Sequence, residues 1–197
     1  MRRRGVACVT IEQSMPDDAI PSVAVDDDTG GRVGAQHLID SGRRRIAFLG
    51  DPENVVHVEE RWRGVLDVVQ SHDGASAHLV PIPTSTMDGG LRATQELLEL
   101  PRSSWPDAIF GANDLVALGA LQACLGVGVR VPGDLAVMGY DDIGFAAQAA
   151  VPLTTVRQPA YELGRTAAEI LLGVTMTGAE PAVHILFTPE LVVRDSA

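Results

Sequence analysis

Residues 104–142 have the pattern of one complete strand–helix–strand unit, and the rest of the chain can be arranged around it. Its first strand is the apolar run Ala108–Gly111, and Asn113 follows as a good helix N-cap, because its side-chain oxygen can accept a hydrogen bond from the first turn. A second apolar strand, Leu135–Gly139, comes after the helix. Two strands joined by one crossover helix are expected to be parallel, with a right-handed connection. The helix should face the core through a stripe at helical spacing, formed by Leu115, Leu118, Gln122 and Leu125.

Polar side chains follow both strands of this unit. Asn113 and Asp114 come after the first strand, and Asp141 and Asp142 come after the second. The carboxyl ends of parallel strands lie side by side, and ligands of open α/β sheets bind at that edge. The sequence therefore predicts a binding site there. The alternative, that Asn113 is only a helix cap and Asp141 only a turn residue, stays open.

The charge of the chain argues against a nucleic-acid surface. It has 15 Lys and Arg residues against 26 Asp and Glu, a net charge of −11 over 197 residues. Binding to phosphates needs clustered cations, and the clusters at 2–4 and 43–45 are short. A chain of 197 residues is long enough for one large domain or two small ones, and 46% hydrophobic with 21% charged residues is ordinary for a soluble core.

Compartment and chemistry are constrained mainly by missing signals. Cys8 and Cys124 are expected to be reduced thiols, and Glu12 interrupts the first apolar run too early for a signal peptide. No stretch is long enough to span a bilayer, so a cytoplasmic protein without a membrane partner is predicted. The zinc-protease, nucleophile-elbow, dinucleotide and P-loop motifs are lacking, and the histidines have no metal-ligand spacing. We therefore predict no catalytic residue, no metal and no cofactor.

Strand and helix patterns alternate along the remaining chain. Strands are expected at 6–11, 23–25, 45–50, 79–82, 152–156 and 184–193, and helices at about 32–41, 59–70, 88–100 and 161–172. Arg61 falls near a helix amino terminus, where the helix dipole disfavours a cation. Either an anionic or hydroxyl-rich ligand or a salt bridge to Glu59 or a flanking Asp would explain it, and both alternatives stay open.

Six motifs in order resemble the effector-binding domain of the lactose-repressor (LacI/GalR) family of bacterial transcription regulators. They are VDDDTGGRVGAQHLIDSGRRRIAFLG at 25–50, ERWRG at 60–64, PDAIFGANDLVALGALQA at 106–123, VPGDLAVMGYDD at 131–142, PLTTVRQPAYELGRTAAEILL at 152–172 and LVVRDS at 191–196. The resemblance implies an α/β, periplasmic-binding-protein-like fold: two doubly wound subdomains joined by three crossing strands, with a small ligand in the cleft.

The resemblance also implies which residues bind the ligand. Arg61 matches the arginine of the family's R-x-x-G motif, and Asn113, Asp141 and Gln158 match further cleft positions. Asp27 and Thr29 are expected to line the cleft from the other subdomain, which would also supply Arg61. Ser85 completes the set, although its segment, Thr84-Ser85-Thr86, lacks the aromatic that sugar-binding members often present, which argues against a stacked pyranose.

A larger departure concerns the amino-terminal end. The family begins with a helix-turn-helix domain, a hinge and further β-α units that this sequence lacks. The sequence is therefore expected to be a fragment, a mis-started reading frame or a regulator without its DNA-binding domain. Residues 1–28 and 29–108 are then a truncated amino-terminal subdomain. Residues 109–155 and 156–197 form the carboxyl-terminal subdomain and crossover strands.

Two functions fit these expectations. The first is a sensor of a sugar or related metabolite, without enzymatic activity, whose conformation changes when the effector binds. It would be a homodimer through the helix after AND and the segment after GYDD, and it would reach DNA only through the missing helix-turn-helix. The alternative is a solute-binding protein of a sugar transporter, which shares the fold but needs a signal peptide.

Overall fold

The computed structural model of the chain describes residues 7–12, 20–177 and 183–197. In chain order the elements are β1 (Thr10–Ile11), β2 (Ser22–Val25), α1 (Asp27–Asp40), β3 (Arg45–Gly50), α2 (Val56–Gln70), β4 (Ser76–Pro81), α3 (Met87–Glu99), β5 (Ala108–Gly111), α4 (Asp114–Gly126), β6 (Ala136–Asp141), β7 (Thr154–Arg157), α5 (Ala160–Thr177), β8 (His184–Phe187) and β9 (Glu190–Val192). Among these helices, none combines the length and the apolar character needed to cross a bilayer. Residues 1–6, where the first strand was predicted to begin, lie outside the described part.

Two compact units make up the chain, and they divide it differently from the prediction. The larger unit comprises residues 27–157 and 190–197, and the smaller comprises residues 1–26 and 158–189. The predicted boundary between 29–108 and 109–155 falls inside the larger unit, because β3 pairs along its length with β5. The physical reason is that hydrogen bonding between these strands makes one continuous sheet across residue 108.

The larger unit is built on a six-stranded sheet in the order β4-β3-β5-β6-β7-β9. Its strands are parallel except for β9, which runs antiparallel to β7. The predicted parallel pairing of β5 with β6 is confirmed, with Phe110 opposite Met138. Alternate residues of the buried strands enter two separate cores, one with α1 and α2 and one with α3 and α4. This is the doubly wound α/β arrangement that was predicted.

Two glycines bring α3 and α4 into backbone contact. A Cβ atom added at Gly90 would lie 2.1 Å from the Val116 carbonyl oxygen, and one added at Gly119 would lie 2.0 Å from that of Met87. Helix α4 is therefore covered on two sides, by the sheet and by α3. The predicted inward stripe is wrong for this reason: Leu115 and Leu125 are each 40% exposed.

The smaller unit contains the described strands β1, β2 and β8 and helix α5. Strand β2 lies between β1 and β8, and both pairings are parallel. Val23 and Val25 alternate with their neighbours toward Leu163 and Ala167 of α5, which form the buried core of this unit. Helix α5 thus packs over one face of the three described strands.

Candidate functional site

The candidate site lies at the carboxyl edge of the six-stranded sheet, in the larger unit. Asp141 ends β6, and Asn113 follows β5 at the same edge. Asp27 begins α1, and Arg61 lies on the second turn of α2. The expectation that Asp27 and Arg61 come from the other subdomain is wrong, because the helices that carry them belong to the same compact unit, residues 27–157 and 190–197, as Asp141.

Arg61 is the most constrained side chain at this edge. Only 3% of it is exposed, and its Nε atom donates to Asp27 Oδ1 at 2.7 Å. Its Nη1 atom donates to the carbonyl oxygen of Ala112 at 2.6 Å. A salt bridge is present, as one of the two explanations predicted, but its partner is Asp27 at the start of α1 rather than Glu59 or a flanking Asp; the explanation by a ligand stays a prediction. Burial alone would lower the pKa of the Arg61 guanidinium, but the charges of Asp27 and Asp141 raise it overall, so the group stays charged.

Tyr140 is a site residue that the sequence analysis missed. The Arg61 guanidinium carbon lies 3.6 Å from the centroid of its ring, which gives a cation–π contact in a water-excluded place. Its hydroxyl is buried and has no hydrogen-bond partner among the described residues. A Cβ atom at Gly30 would collide with that hydroxyl. The period-2 alternation of Ala136, Met138 and Tyr140 was the available signal, since all three enter the same core.

Asn113 has a structural role that the sequence predicted. Its Oδ1 atom accepts a hydrogen bond from the Val116 amide at 2.9 Å, which caps α4. Its Nδ2 atom donates to the carbonyl oxygen of Ser85 at 3.3 Å. Ser85 therefore contributes a backbone group here, and Thr86 rather than Ser85 caps α3. The amide of Asn113 links the segment after β4 to the start of α4.

Asp141 presents the partly exposed carboxylate of the site. Its side chain is 31% exposed, and its Oδ1 atom lies 4.0 Å from Arg61 Nη1. Its φ angle is 109°, and that of Asp142 is 56°. Both angles lie in the left-handed region, which residues other than glycine rarely adopt. Asp142 turns away from Asp141 and pairs with Arg157 and Arg194, which hold the pKa of its carboxyl below the usual range against the opposing effect of burial.

Asp114 is a buried carboxyl group directly behind the site. Its oxygens accept hydrogen bonds from the Thr155 hydroxyl at 2.6 Å and from the Ile143 amide at 2.8 Å. Burial raises its pKa to about 7, with the nearby charges of Asp141 and Asp142 acting in the same direction and the two hydrogen bonds opposing it.

The remaining predicted residues are placed as follows. Thr29 lies in the first turn of α1 and is half-buried, and Gln158 is the first residue of the second segment of the smaller unit. Within the described residues, no group of three or more His, Cys, Asp or Glu side chains could hold a metal ion. The larger unit thus brings together Asp27, Arg61, Ser85, Asn113 and Asp141.

Comparison with known proteins relates the chain to a family. The model of the periplasmic binding protein-like domain matches residues 35–197. The transcriptional regulator CelR of Thermobifida fusca is 37% identical over 187 residues, which are 92% of this chain and 53% of that protein. The chain spans about half the length of the curated relatives it matches.

Solved structures give the same assignment. A LacI family transcriptional regulator from Enterococcus faecium with bound ribose has a TM-score of 0.89 at 27% identity, over 100% of this chain and 72% of that one. A complex of the regulator CelR with cellobiose has a TM-score of 0.86 at 34% identity, over 96% and 58% of the two chains. Sequence and fold agree along most of the length, and the chain belongs to the periplasmic-binding-protein-like domain family, in the form found in LacI-family transcriptional regulators.

Proposed function

We propose that this chain is the sugar-sensing region of a LacI-family transcriptional regulator. The observation that carries the proposal is the carboxyl edge of the larger unit, where the partly exposed carboxylate of Asp141 lies beside the buried and neutralised pair of Arg61 and Asp27. Relatives with the same fold are seen with ribose and with cellobiose. A carboxylate that accepts hydrogen bonds at the end of parallel strands suits a ligand rich in hydroxyl groups.

The roles of the site residues follow from their contacts. Asp141 accepts hydrogen bonds from sugar hydroxyls. Arg61 is too enclosed by Asp27, Ala112 and Tyr140 to reach far, so it acts chiefly by fixing the charge of the site and its shape. Asn113 positions the start of α4. Gln158, Thr29 and Ser85 stay predicted ligand contacts.

The output of the sensor is conformational. The ligand shifts the equilibrium between two conformations of the regulator, and the size of the shift is set by the difference between the ligand's affinities for the two conformations. DNA is contacted through a helix-turn-helix region outside this sequence, the protein works in the cytoplasm, and it catalyses no reaction. The relatives are transcriptional regulators, which favours this role over that of a transporter's solute-binding protein.

The active form is a homodimer through the outer face of α4. An apolar groove of about 410 Å³ runs along this face, and it is lined mainly by Met87, Leu118, Leu121, Leu125, Ala149 and Ala150. Ala149 and Ala150 belong to the segment after GYDD, so the two segments expected to form dimer contacts meet in one groove.

A thermal-shift panel tests the sensing function. The chain is heated with ribose, glucose, sucrose and cellobiose in turn, and a sugar that binds the native state alone raises the melting temperature by mass action. We expect at least one sugar to raise it in the wild type and not in Asp141→Ala. Failure of all four at millimolar concentration, together with a clear shift by amino acids or nucleosides, would overturn the assignment to sugars.

A further inference from the structure

The backbone that carries Asp141 is held in a conformation it would not adopt unaided. Residues 141 and 142 are neighbours, neither is glycine, and both have positive φ angles, 109° and 56°. Such residues persist only where the surrounding structure fixes them, and they concentrate at functional sites. The groups that fix them therefore have a direct effect on where the Asp141 carboxylate lies.

Asp142 fixes the turn from one side. Its Oδ2 atom accepts from Arg157 Nε at 2.7 Å, and its Oδ1 atom accepts from Arg194 Nη2 at 2.6 Å. Only 10% of the Asp142 side chain is exposed. Arg194 is itself tied to the sheet, since its Nη1 atom donates to the carbonyl oxygen of Leu153 at 2.8 Å. One carboxylate thus ties the strained residue to β7 and to the segment after β9.

Asp114 fixes the turn from the other side. Its Oδ2 atom accepts from the backbone amide of Ile143, the residue after Asp142, at 2.8 Å. Its Oδ1 atom accepts from Thr155 of β7 at 2.6 Å. Space for this carboxylate exists because residue 139 is glycine, where a Cβ atom would lie 2.2 Å from Asp114 Oδ1. The side chain is fully buried, so these bonds face no competition from water.

We propose that Asp142 and Asp114 are positioning residues for ligand recognition: they clamp residues 141–143 in the left-handed turn that presents the Asp141 carboxylate at the sheet edge. Neither needs to touch the ligand. Asp142 has both oxygens engaged by arginines, and Asp114 lies beneath the surface. The inference rests on the proposed function only in taking Asp141 as the residue that meets the sugar.

The chain contains a matched control for the clamp. Asp134 also bridges two arginines, Arg130 at 2.7 Å and Arg102 at 2.9 Å, and its side chain is 13% exposed. It follows α4 and precedes β6, and so lies at the amino edge of the same sheet. Asp134→Asn therefore removes the same kind of double ion pair as Asp142→Asn, without touching the turn. Asparagine tolerates positive φ, so Asp142→Asn removes the charge without adding backbone strain.

The experiment measures local conformation first, without ligand. Backbone NMR couplings and carbon shifts report φ at residues 141 and 142 in the wild type, Asp142→Asn and Asp134→Asn. We expect Asp142→Asn alone to lose the positive-φ signature or to show several conformers. Asp114→Asn, as a second variant, should accelerate amide exchange at Ile143. Wild-type signals at 141–143 in both site variants would overturn the proposal.

Cellobiose then serves as the ligand probe in titration calorimetry, well below the melting temperature of each variant. Asp142→Asn is expected to weaken cellobiose binding about tenfold or more, and Asp134→Asn to leave it unchanged; equal weakening in both would mean a general stability effect and would also overturn the proposal. If the turn changes as expected and the wild type binds none of ribose, glucose, sucrose and cellobiose, the clamp stands and the result counts against the proposed sensing function.

Discussion

At the scale of single residues, the buried pair of Arg61 and Asp27 governs both stability and the electrostatics of the site. Arg61 has three close contacts, with the carboxylate of Asp27, the carbonyl oxygen of Ala112 and the ring of Tyr140, and the carboxylate of Asp141 lies farther away at 4.0 Å. A buried pair contributes little compared with an apolar replacement, but removing one partner leaves an uncompensated charge, which costs about 3–5 kcal/mol. The pair therefore makes the fold depend on the same residues that shape the site.

Asp27→Ala is accordingly expected to lower the free energy of unfolding by about 3–5 kcal/mol, since it leaves the Arg61 guanidinium charged and buried. The adjacent Asp28 is the control. It pairs with Arg32 and Arg63, which are 45% and 57% exposed, and exposed pairs contribute about 0–1 kcal/mol. Urea titration of both variants makes the comparison. Similar losses in the two would contradict the buried-charge explanation.

Asp141→Ala should separate binding from folding. The side chain is partly exposed, so its removal should change the free energy of unfolding by less than about 1 kcal/mol. The affinity for a sugar that stabilises the wild type should fall at least about tenfold, or about 1.4 kcal/mol. Asp88→Ala, an exposed carboxylate on α3, is the control for net charge. Normal binding with a much lower melting temperature would make Asp141 a structural turn residue.

The raised pKa of Asp114 predicts a pH dependence of stability. Its folded pKa of about 7 lies above the unfolded value of 3.8, so between these values the folded state holds the proton and the unfolded state does not. Stability from this group is therefore largest near pH 4 and is lost as the pH rises to 7, by up to roughly 4 kcal/mol. Asp114→Asn should lack this loss, and urea titrations of both proteins from pH 4.5 to 7.5 measure it. If the free energies of unfolding of the two proteins change in parallel with pH, the prediction is wrong.

At the scale of elements, the sequence predicted strands better than helix faces. The bounds of β3 and β5 and the Asn113 cap of α4 are as expected, because short apolar runs end sharply at polar caps. The stripe of α4 was wrong because its sequence is apolar nearly all round, so periodicity alone does not say which face is covered. Contact with α3 at Gly90 and Gly119 decides that, and this contact depends on residues distant in sequence.

Gly119→Ala tests this contact. The new methyl group would lie 2.0 Å from the Met87 carbonyl oxygen, so α3 and α4 must separate, which should cost about 1–3 kcal/mol or more. At Gly126, the end of the same helix, no atom of the described residues lies within 4 Å of the equivalent position. Gly126→Ala should therefore be neutral or stabilising by up to about 1 kcal/mol. Thermal unfolding of the two variants measures the difference. If neither variant is destabilised, α3 and α4 are not in close backbone contact.

At the scale of the whole molecule, the chain passes between its two units three times, at 26/27, 157/158 and 189/190. The resemblance implied three crossing strands, but the boundaries predicted from the sequence were misplaced. Local patterns identify β3 and β5 as strands without saying that they pair, and that pairing is what joins residues 27–157. The grouping of Asp27, Arg61 and Asp141 in one unit could not be inferred for the same reason.

Self-association through α4 is the prediction that belongs to this scale. Leu115 and Leu125 are each 40% exposed, and Met87, which lines the same groove as Leu125, is 41% exposed. Covering this face with a second copy would remove apolar surface from water at about 25 cal/mol per Å². We expect light scattering at tens of micromolar to give twice the chain mass.

The double variant Leu115→Glu/Leu125→Glu should be monomeric and still folded, because half-exposed side chains contribute little to the core. Val56→Glu, which adds one such charge at an exposed residue of α2 on the opposite face of the sheet, should stay dimeric. A monomeric wild type would show that the chain does not dimerise. A dimer that survives the double substitution would show that its contact lies elsewhere.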